Sequence, residues 1–178
     1  APEYDVAGSE YGRAYLLLGD TLATVRGDWS LSGAEYIFQG GEESLGYSSA
    51  FIGDLDGDRR DDILISGDEN DEAGNSAGKS YLFLSSTLAN RLGQFSVDDA
   101  DYTFLGENAY DDAGQALAGV GDVDGDGLPD ILIAASTYDE GSAYSGKTYL
   151  SLGSSLLGSE GGMAVAAAAF AFLGQGGT

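Results

Sequence analysis

Two acidic nonapeptides carry the clearest chemical pattern in the chain: Asp122-Val123-Asp124-Gly125-Asp126-Gly127-Leu128-Pro129-Asp130 and Asp54-Leu55-Asp56-Gly57-Asp58-Arg59-Arg60-Asp61-Asp62. Each places carboxylates at positions 1, 3, 5 and 9. On a tightly curled loop, alternate carboxylates face one centre, and hard oxygen donors at that density suit Ca2+, which takes about 6–8 oxygens; Mg2+ demands stricter octahedral geometry and keeps its waters. The expected ligands are Asp122, Asp124, Asp126 and Asp130 in one loop and Asp54, Asp56, Asp58 and Asp62 in the other. The position-7 carbonyls of Leu128 and Arg60, with water, would complete two Ca2+ sites. Four converging carboxylates repel one another without a cation, and solvated Asp-Gly turns alone do not account for two copies at one spacing. Position 6 calls for a left-handed residue. Gly127 provides one, whereas Arg59 does so at a cost on the order of 1 kcal/mol, so the Asp54 loop is expected to be the weaker site. An EF-hand shares the first three spacings but needs a bidentate Glu at position 12, where this chain has Ile133 and Ile65. The paired glycines of the RTX nonapeptide are absent as well.

The elements that must position these loops repeat along the sequence. A shift of 68 positions aligns the acidic loops and carries Asp62-Ile63-Leu64-Ile65 onto Asp130-Ile131-Leu132-Ile133, Gly78-Lys79 onto Gly146-Lys147, Tyr81-Leu82 onto Tyr149-Leu150 and Phe104-Leu105-Gly106 onto Phe172-Leu173-Gly174. A third copy, 66 positions earlier, places Gly12-Arg13, Tyr15-Leu16, Tyr36 and Phe38 under Gly78-Lys79, Tyr81-Leu82, Tyr102 and Phe104; the counterpart of Leu45 to Ser66 is missing from it. Each full unit reads as four short strands separated by Gly, Asp and Ser clusters, in the last unit near 116–120, 131–135, 147–152 and 170–172. The Ala-rich stretch 163–173 favours helix by composition. Its counterparts Ala100-Asp101-Tyr102-Thr103-Phe104 and Ala34-Glu35-Tyr36-Ile37-Phe38 have strand period, so it is read as strand. Short helical turns are expected at 86–92 and 154–157.

Composition narrows the partners. The 178 residues include 30 acidic and 7 basic side chains, a formal charge of −23. So negative a surface repels nucleic acid and anionic bilayers and attracts cations. With 43% hydrophobic residues, 11 Tyr and 7 Phe, the chain can build a core, and its 29 Gly suit many turns. Neither Cys nor His is present, which removes disulfides, thiolate nucleophiles and the commonest general base. No apolar run reaches the ~20 residues that span a bilayer, and no signal peptide is visible at the N-terminus.

The unit Ala113-Gly114, Gly121 to Gly127, Asp130-Ile131-Leu132-Ile133-Ala134-Ala135 and Ser145-Gly146-Lys147-Thr148-Tyr149 resembles an FG-GAP repeat of integrin α-subunits and their bacterial relatives. Leu45-Gly46 and Ala113-Gly114 stand where that family has Phe-Gly. Ser66-Gly67-Asp68 and Ala134-Ala135-Ser136 stand where it has Gly-Ala-Pro, with Ala1-Pro2 as the tail of that motif. The resemblance implies an all-β fold, a seven-bladed β-propeller with calcium in the loop joining the first two strands of certain blades. About two and a half four-stranded blades are expected here: a partial blade over 1–44 (strands 3 and 4) and full repeats over 45–112 and 113–178. Seven such units need roughly 470 residues. The chain is therefore expected to be a fragment of a longer polypeptide whose remaining blades lie in cis, with self-association through open sheets as the alternative.

The function expected from the resemblance is a non-catalytic, calcium-binding extracellular module for adhesion or recognition, meeting a protein or glycan at the cell surface, without nucleic acid and without membrane insertion. Two alternatives are the propeller portion of an extracellular carbohydrate- or lipid-active enzyme, using acids outside the nonapeptides such as Asp139-Glu140, and a structural subunit that assembles through blade edges. Arg13, Lys79 and Lys147 share one repeat position and are expected to pair with acidic loops. Tyr15, Tyr81, Tyr149, Phe38, Phe104 and Phe172 are expected in the core, and 68–72 as a solvated acidic loop. Trp29, in a Gly-flanked loop, is a candidate recognition contact.

Overall fold

The computed structural model describes residues 12–40, 44–139, 145–157 and 161–175, together with the backbone of strands β1 (Asp5–Val6) and β2 (Ser9–Glu10). Ala1, Pro2, Glu3 and Glu140 lie outside the described residues. The remaining strands are β3 (Arg13–Leu16), β4 (Tyr36–Gln39), β5 (Ser49–Gly53), β6 (Asp62–Gly67), β7 (Lys79–Phe83), β8 (Gly93–Ser96), β9 (Tyr102–Leu105), β10 (Ala113–Gly121), β11 (Asp130–Ala135), β12 (Lys147–Ser151), β13 (Gly162–Ala164) and β14 (Phe170–Leu173). Three short helices follow the third strand of a unit: α1 (Gly19–Thr24), α2 (Ser85–Leu88) and α3 (Gly153–Leu157). The fold is all-β, with sheets ordered β3-β4-β8, β13-β9-β7-β6-β5 and β10-β11-β12-β14 beside the β1-β2 hairpin.

Within each of the two larger sheets, four strands run as an antiparallel meander, with β6 centred on Leu64↔Leu82 and β11 on Leu132↔Leu150. Every residue of β6 is buried, because neighbouring sheets cover both of its faces. The period of 2 sorts its side chains into two cores. Ile63 and Ile65 pack with Tyr81, Phe83, Phe38 and Phe95, while Leu64 packs with Leu82, Ile52 and Phe104 against Ile131, Ile133 and Tyr149 of the last sheet. Tilted aromatic pairs fill the first core, with Phe38 and Phe83 centroids 4.7 Å apart. Gly78 has φ +84°, and a Cβ there would lie 2.2 Å from the Ala113 carbonyl oxygen, so only glycine allows the turn into β7 to approach β10 this closely.

The sequence expectation of strand over 163–173 holds in two pieces, β13 and β14, separated by a 3-10 turn at Val165–Ala167. The piece not foreseen is the connector strand: β8 adds in parallel to β4 of the preceding unit (Phe38↔Phe95), and β13 adds in parallel to β9 (Phe104↔Met163). One core assignment is corrected. Phe172 is 55% exposed where its counterpart Phe104 is 1% exposed, because among the described residues no further sheet lies against β14. Tyr15 is only half-buried for the same reason, at the other end of the stack. Phe104→Ala should therefore cost about 3–5 kcal/mol in urea unfolding, and Phe172→Ala, in dilute solution, no more than about 0.5 kcal/mol; equal losses would contradict this packing.

Candidate metal centre

Both nonapeptides form the loop between the first and second strands of a sheet. A bulge at the start of each loop shifts the register, and the glycines that close it, Gly53 and Gly121, have φ of +97° and +71° and pair with Asp62 and Asp130. The loops then share the same main amide bonds. The amides of Gly57 and Arg59 donate to the two oxygens of Asp54 at 2.7 and 2.8 Å, and those of Gly125 and Gly127 to the two oxygens of Asp122 at 2.6 and 2.8 Å. Asp58 and Asp126 donate N–H to Asp56 and Asp124 at 3.1 Å, while Arg60 and Leu128 donate N–H to Asp58 and Asp126 at 2.9 Å. These amide bonds curl the chain around the carboxylates. They hold the Asp122 carboxyl below its ordinary value, the Gly127 amide contributing most.

The convergence differs between the loops. Carboxylate oxygens of Asp54, Asp56 and Asp58 lie within 4.8 Å of one another, as do those of Asp122, Asp124 and Asp130. Among the described residues these are the two groups of this kind. Asp62 stands outside the first triplet and Asp126 outside the second. Asp62 and Asp130 are both wholly buried and have a second task. Asp62 accepts the amide of Leu55 in the loop at 2.8 Å and that of Ser85, at the start of α2, at 2.7 Å. Asp130 accepts those of Val123 at 2.8 Å and Gly153 at 2.9 Å. Position 9 thus ties loop, strand and helical turn together, a role that spacing alone did not reveal. Burial pushes the Asp62 carboxyl up to about 6, the Asp56 and Asp54 charges add to this, and the two amide bonds oppose it.

Hydroxyls from the helical turn complete the first loop: Ser85 Oγ donates to Asp58 at 2.7 Å and Ser86 Oγ to Asp56. Arg59 has φ 71°, so position 6 is left-handed in both loops and Arg59 bears the strain that Gly127, at 92°, avoids.

Residues 113–151 match the family model of the FG-GAP repeat. That segment runs from β10 through the Asp122 loop to the end of β12, and the middle unit repeats the architecture of the FG-GAP segment 68 residues earlier. Comparison with curated proteins gave no match.

The shared cation of the FG-GAP segment, Lys147, pairs with Glu107 of the preceding unit at 2.5 Å, and Glu107 also accepts the Tyr149 hydroxyl at 2.8 Å. Lys79 pairs with Glu72 at 2.6 Å, and Arg13 donates to the Gln39 side chain at 3.4 Å. Trp29 is half-buried over Gly33, which limits it as a recognition contact. In the loop 68–72, Glu69, Asp71 and Glu72 are exposed as expected, whereas Asp68 is buried. Asp71 accepts the Ser76 amide, and Asp68 is 4% exposed with Oδ1 unpartnered among the described residues. Sequence reasoning missed Asp68 because nothing in Ser66-Gly67-Asp68 shows that this side chain is buried.

Two outcomes follow from these bonds. Asp130→Ala leaves two buried amides unpaired and should cost about 3–5 kcal/mol in urea unfolding even with EDTA present; a loss seen only in calcium would contradict the tying role. Burial, with the Glu69 and Asp112 charges adding, raises the Asp68 carboxyl from 3.8 to about 6. The folded state therefore holds this proton more tightly than the unfolded chain, so the stability it confers is full below about 4 and is lost as pH rises through about 6. Asp68→Asn should stabilise the protein above pH 7, by up to about 2–3 kcal/mol, and leave it unchanged near pH 4; equal effects at both values would contradict the assignment.

Proposed function

We propose that the chain is part of a calcium-stabilised, propeller-type extracellular recognition module, and that it works without catalysis. The observation that carries this reading is the pair of acidic loops with the same internal bonds, each bringing three carboxylates within 4.8 Å. Asp122, Asp124 and Asp130, with Asp126 and the Leu128 carbonyl, would hold one calcium ion. Asp54, Asp56 and Asp58, with Asp62 and the Arg60 carbonyl, would hold the other. The oxygen-only donor set fits a hard cation, and the backbone amides already orient it. Calcium would supply charge neutralisation and a rigid loop, and no reaction step is assigned to it.

The FG-GAP match supports an integrin-like extracellular setting, since the resemblance implies recognition outside the cell. No helix among the described residues is long and apolar enough to cross a membrane. The side chains suited to a protein or glycan ligand are the exposed Tyr47 and Tyr110, which lie at the end of the sheets opposite the acidic loops. The acids whose carboxyls burial raises, such as Asp68 and Asp111, are themselves buried, at 4% exposure each.

Thermal melting tests the proposal. Millimolar calcium should raise Tm by about 1–2 °C per occupied site over EDTA, given module-type affinities near millimolar. Asp122→Asn should remove more than half of the increment and also lower Tm in EDTA, because one of the two oxygens that accept the Gly125 and Gly127 amides becomes an NH2; a Tm indifferent to calcium would refute the reading.

A further inference from the structure

The junctions on the two sides of the middle unit use the same positions with different residues. Where the first and middle units meet, a cavity of about 540 Å³ opens among Gln39, Asn70, Lys79, Tyr81, Ser96 and Thr103. That size lies within the ~300–1,000 Å³ usual for small-molecule sites. Where the middle and last units meet, Tyr138, Tyr149, Val165 and Ala168 pack together in one core cluster. The residues 68 positions earlier, Asn70, Tyr81, Val97 and Ala100, are walls of the cavity.

Two replacements distinguish the junctions. Asn70 stands where the last unit has Tyr138, on the same backbone. The Asn70 amide donates to the Gly67 carbonyl at 3.2 Å and its carbonyl accepts the Gly78 amide at 3.0 Å, as Tyr138 does with Ala135 at 3.4 Å and Gly146 at 3.1 Å. Tyr138 is 3% exposed, with its ring centre 4.4 Å from Lys147 Nζ. Glu107, whose carboxylate accepts from Lys147 and Tyr149, has Gly41 at its place in the repeat. The first junction therefore keeps the ammonium of Lys79 and the phenol of Tyr81, but these two positions supply neither the ring nor the carboxylate that the second junction sets against them. The walls differ as well: Ser96, Asp98 and Thr103 stand where the second junction has the methyl groups of Ala164, Ala166 and Ala171. Lys79 pairs with Glu72 at 2.6 Å, but Glu72 is 57% exposed, and such a pair contributes little. An ammonium carries three N–H donors, so Lys79 can serve a second acceptor.

We propose that this cavity binds a small organic acid in which a six-membered ring carries a carboxylate. The ring takes the place that Tyr138 fills in the second junction, against the Lys79 ammonium. The carboxylate takes the place of that of Glu107 and accepts from Lys79 Nζ. Hydroxyls on the ring meet Ser96, Asp98 and Thr103. An acidic sugar and a hydroxylated aromatic acid both present this chemistry. The inference gives a ligand class to the recognition role proposed above, on which it rests, and it needs no calcium. The charge of −23 opposes an anion at long range, so affinity is expected in the millimolar range, with salt relieving the repulsion.

Amide NMR titrations of the full chain with galacturonate and with 4-hydroxybenzoate, each in calcium and in EDTA, test this and distinguish the two sources. At least one acid is expected to give saturable shifts at Asn70, Lys79, Ser96 and Thr103. Its uncharged counterpart, galactose or 4-hydroxybenzamide, should bind at least about tenfold more weakly. Lys79→Gln should cost a similar factor, whereas Glu72→Gln, which removes the competing carboxylate, should tighten binding severalfold. Asn70→Tyr returns the ring and should abolish binding while keeping or raising Tm. Should Asn70→Tyr fail to fold, Lys79→Gln and Glu72→Gln decide instead, since each changes one side chain of a weak ion pair. No saturable shift with either acid, equal binding of the uncharged counterparts, or an affinity unmoved by Lys79→Gln overturns the proposal. Calcium-dependent melting is read separately, so such a failure leaves the metal loops and the face bearing Tyr47 and Tyr110 standing.

Discussion

The buried aspartate at the ninth position of each acidic loop is the constraint on which the rest of a unit depends. Asp62 and Asp130 are wholly buried, and each binds one amide in the loop and one at the start of the helical turn after the third strand. A carboxylate withdrawn from water is tolerable only with such partners. Once it is in place, three separate segments have fixed positions. The loop must then return its earlier carboxylates toward one point, so the convergence follows from how the strand is anchored.

Burial of the second strand on both faces makes the anchor possible. Ile63-Leu64-Ile65 faces one neighbouring sheet with its isoleucines and the other with its leucine, and Ile131-Leu132-Ile133 repeats the pattern with only one of its faces covered. Stability in such an array is approximately a sum of unit and junction contributions. Each junction combines an apolar face, a parallel connector strand and, between the last two units, the Lys147–Glu107 pair shared with Tyr149.

Much of this was legible in the sequence. The strand period of Ala34-Glu35-Tyr36-Ile37-Phe38 and Ala100-Asp101-Tyr102-Thr103-Phe104 and the Ile-Leu-Ile runs marked strands, and the 1-3-5-9 spacing marked the loops, because local periodicity and local curl are written in consecutive residues. The connector strands were not legible. Gly93-Gln94-Phe95-Ser96 is too short and polar for a period to show, and its pairing depends on a sheet from the preceding unit. Phe172 misled for the opposite reason: its repeat position marks it as core, but burial there is contributed by the next unit in space. The tying role of Asp62 and Asp130 was hidden as well, since an expected metal ligand and an acceptor of buried amides call for the same residue at the same place.

The proposed calcium role rests on two loops whose backbone amides already orient their carboxylates. Calorimetric titration of calcium into the metal-free chain measures this directly. Saturation at two equivalents, with the stronger uptake lost in Asp124→Asn, is the predicted result, because Gly127 frees the Asp122 loop from the strain that Arg59 places on its counterpart. A titration that shows no uptake at millimolar calcium would contradict it.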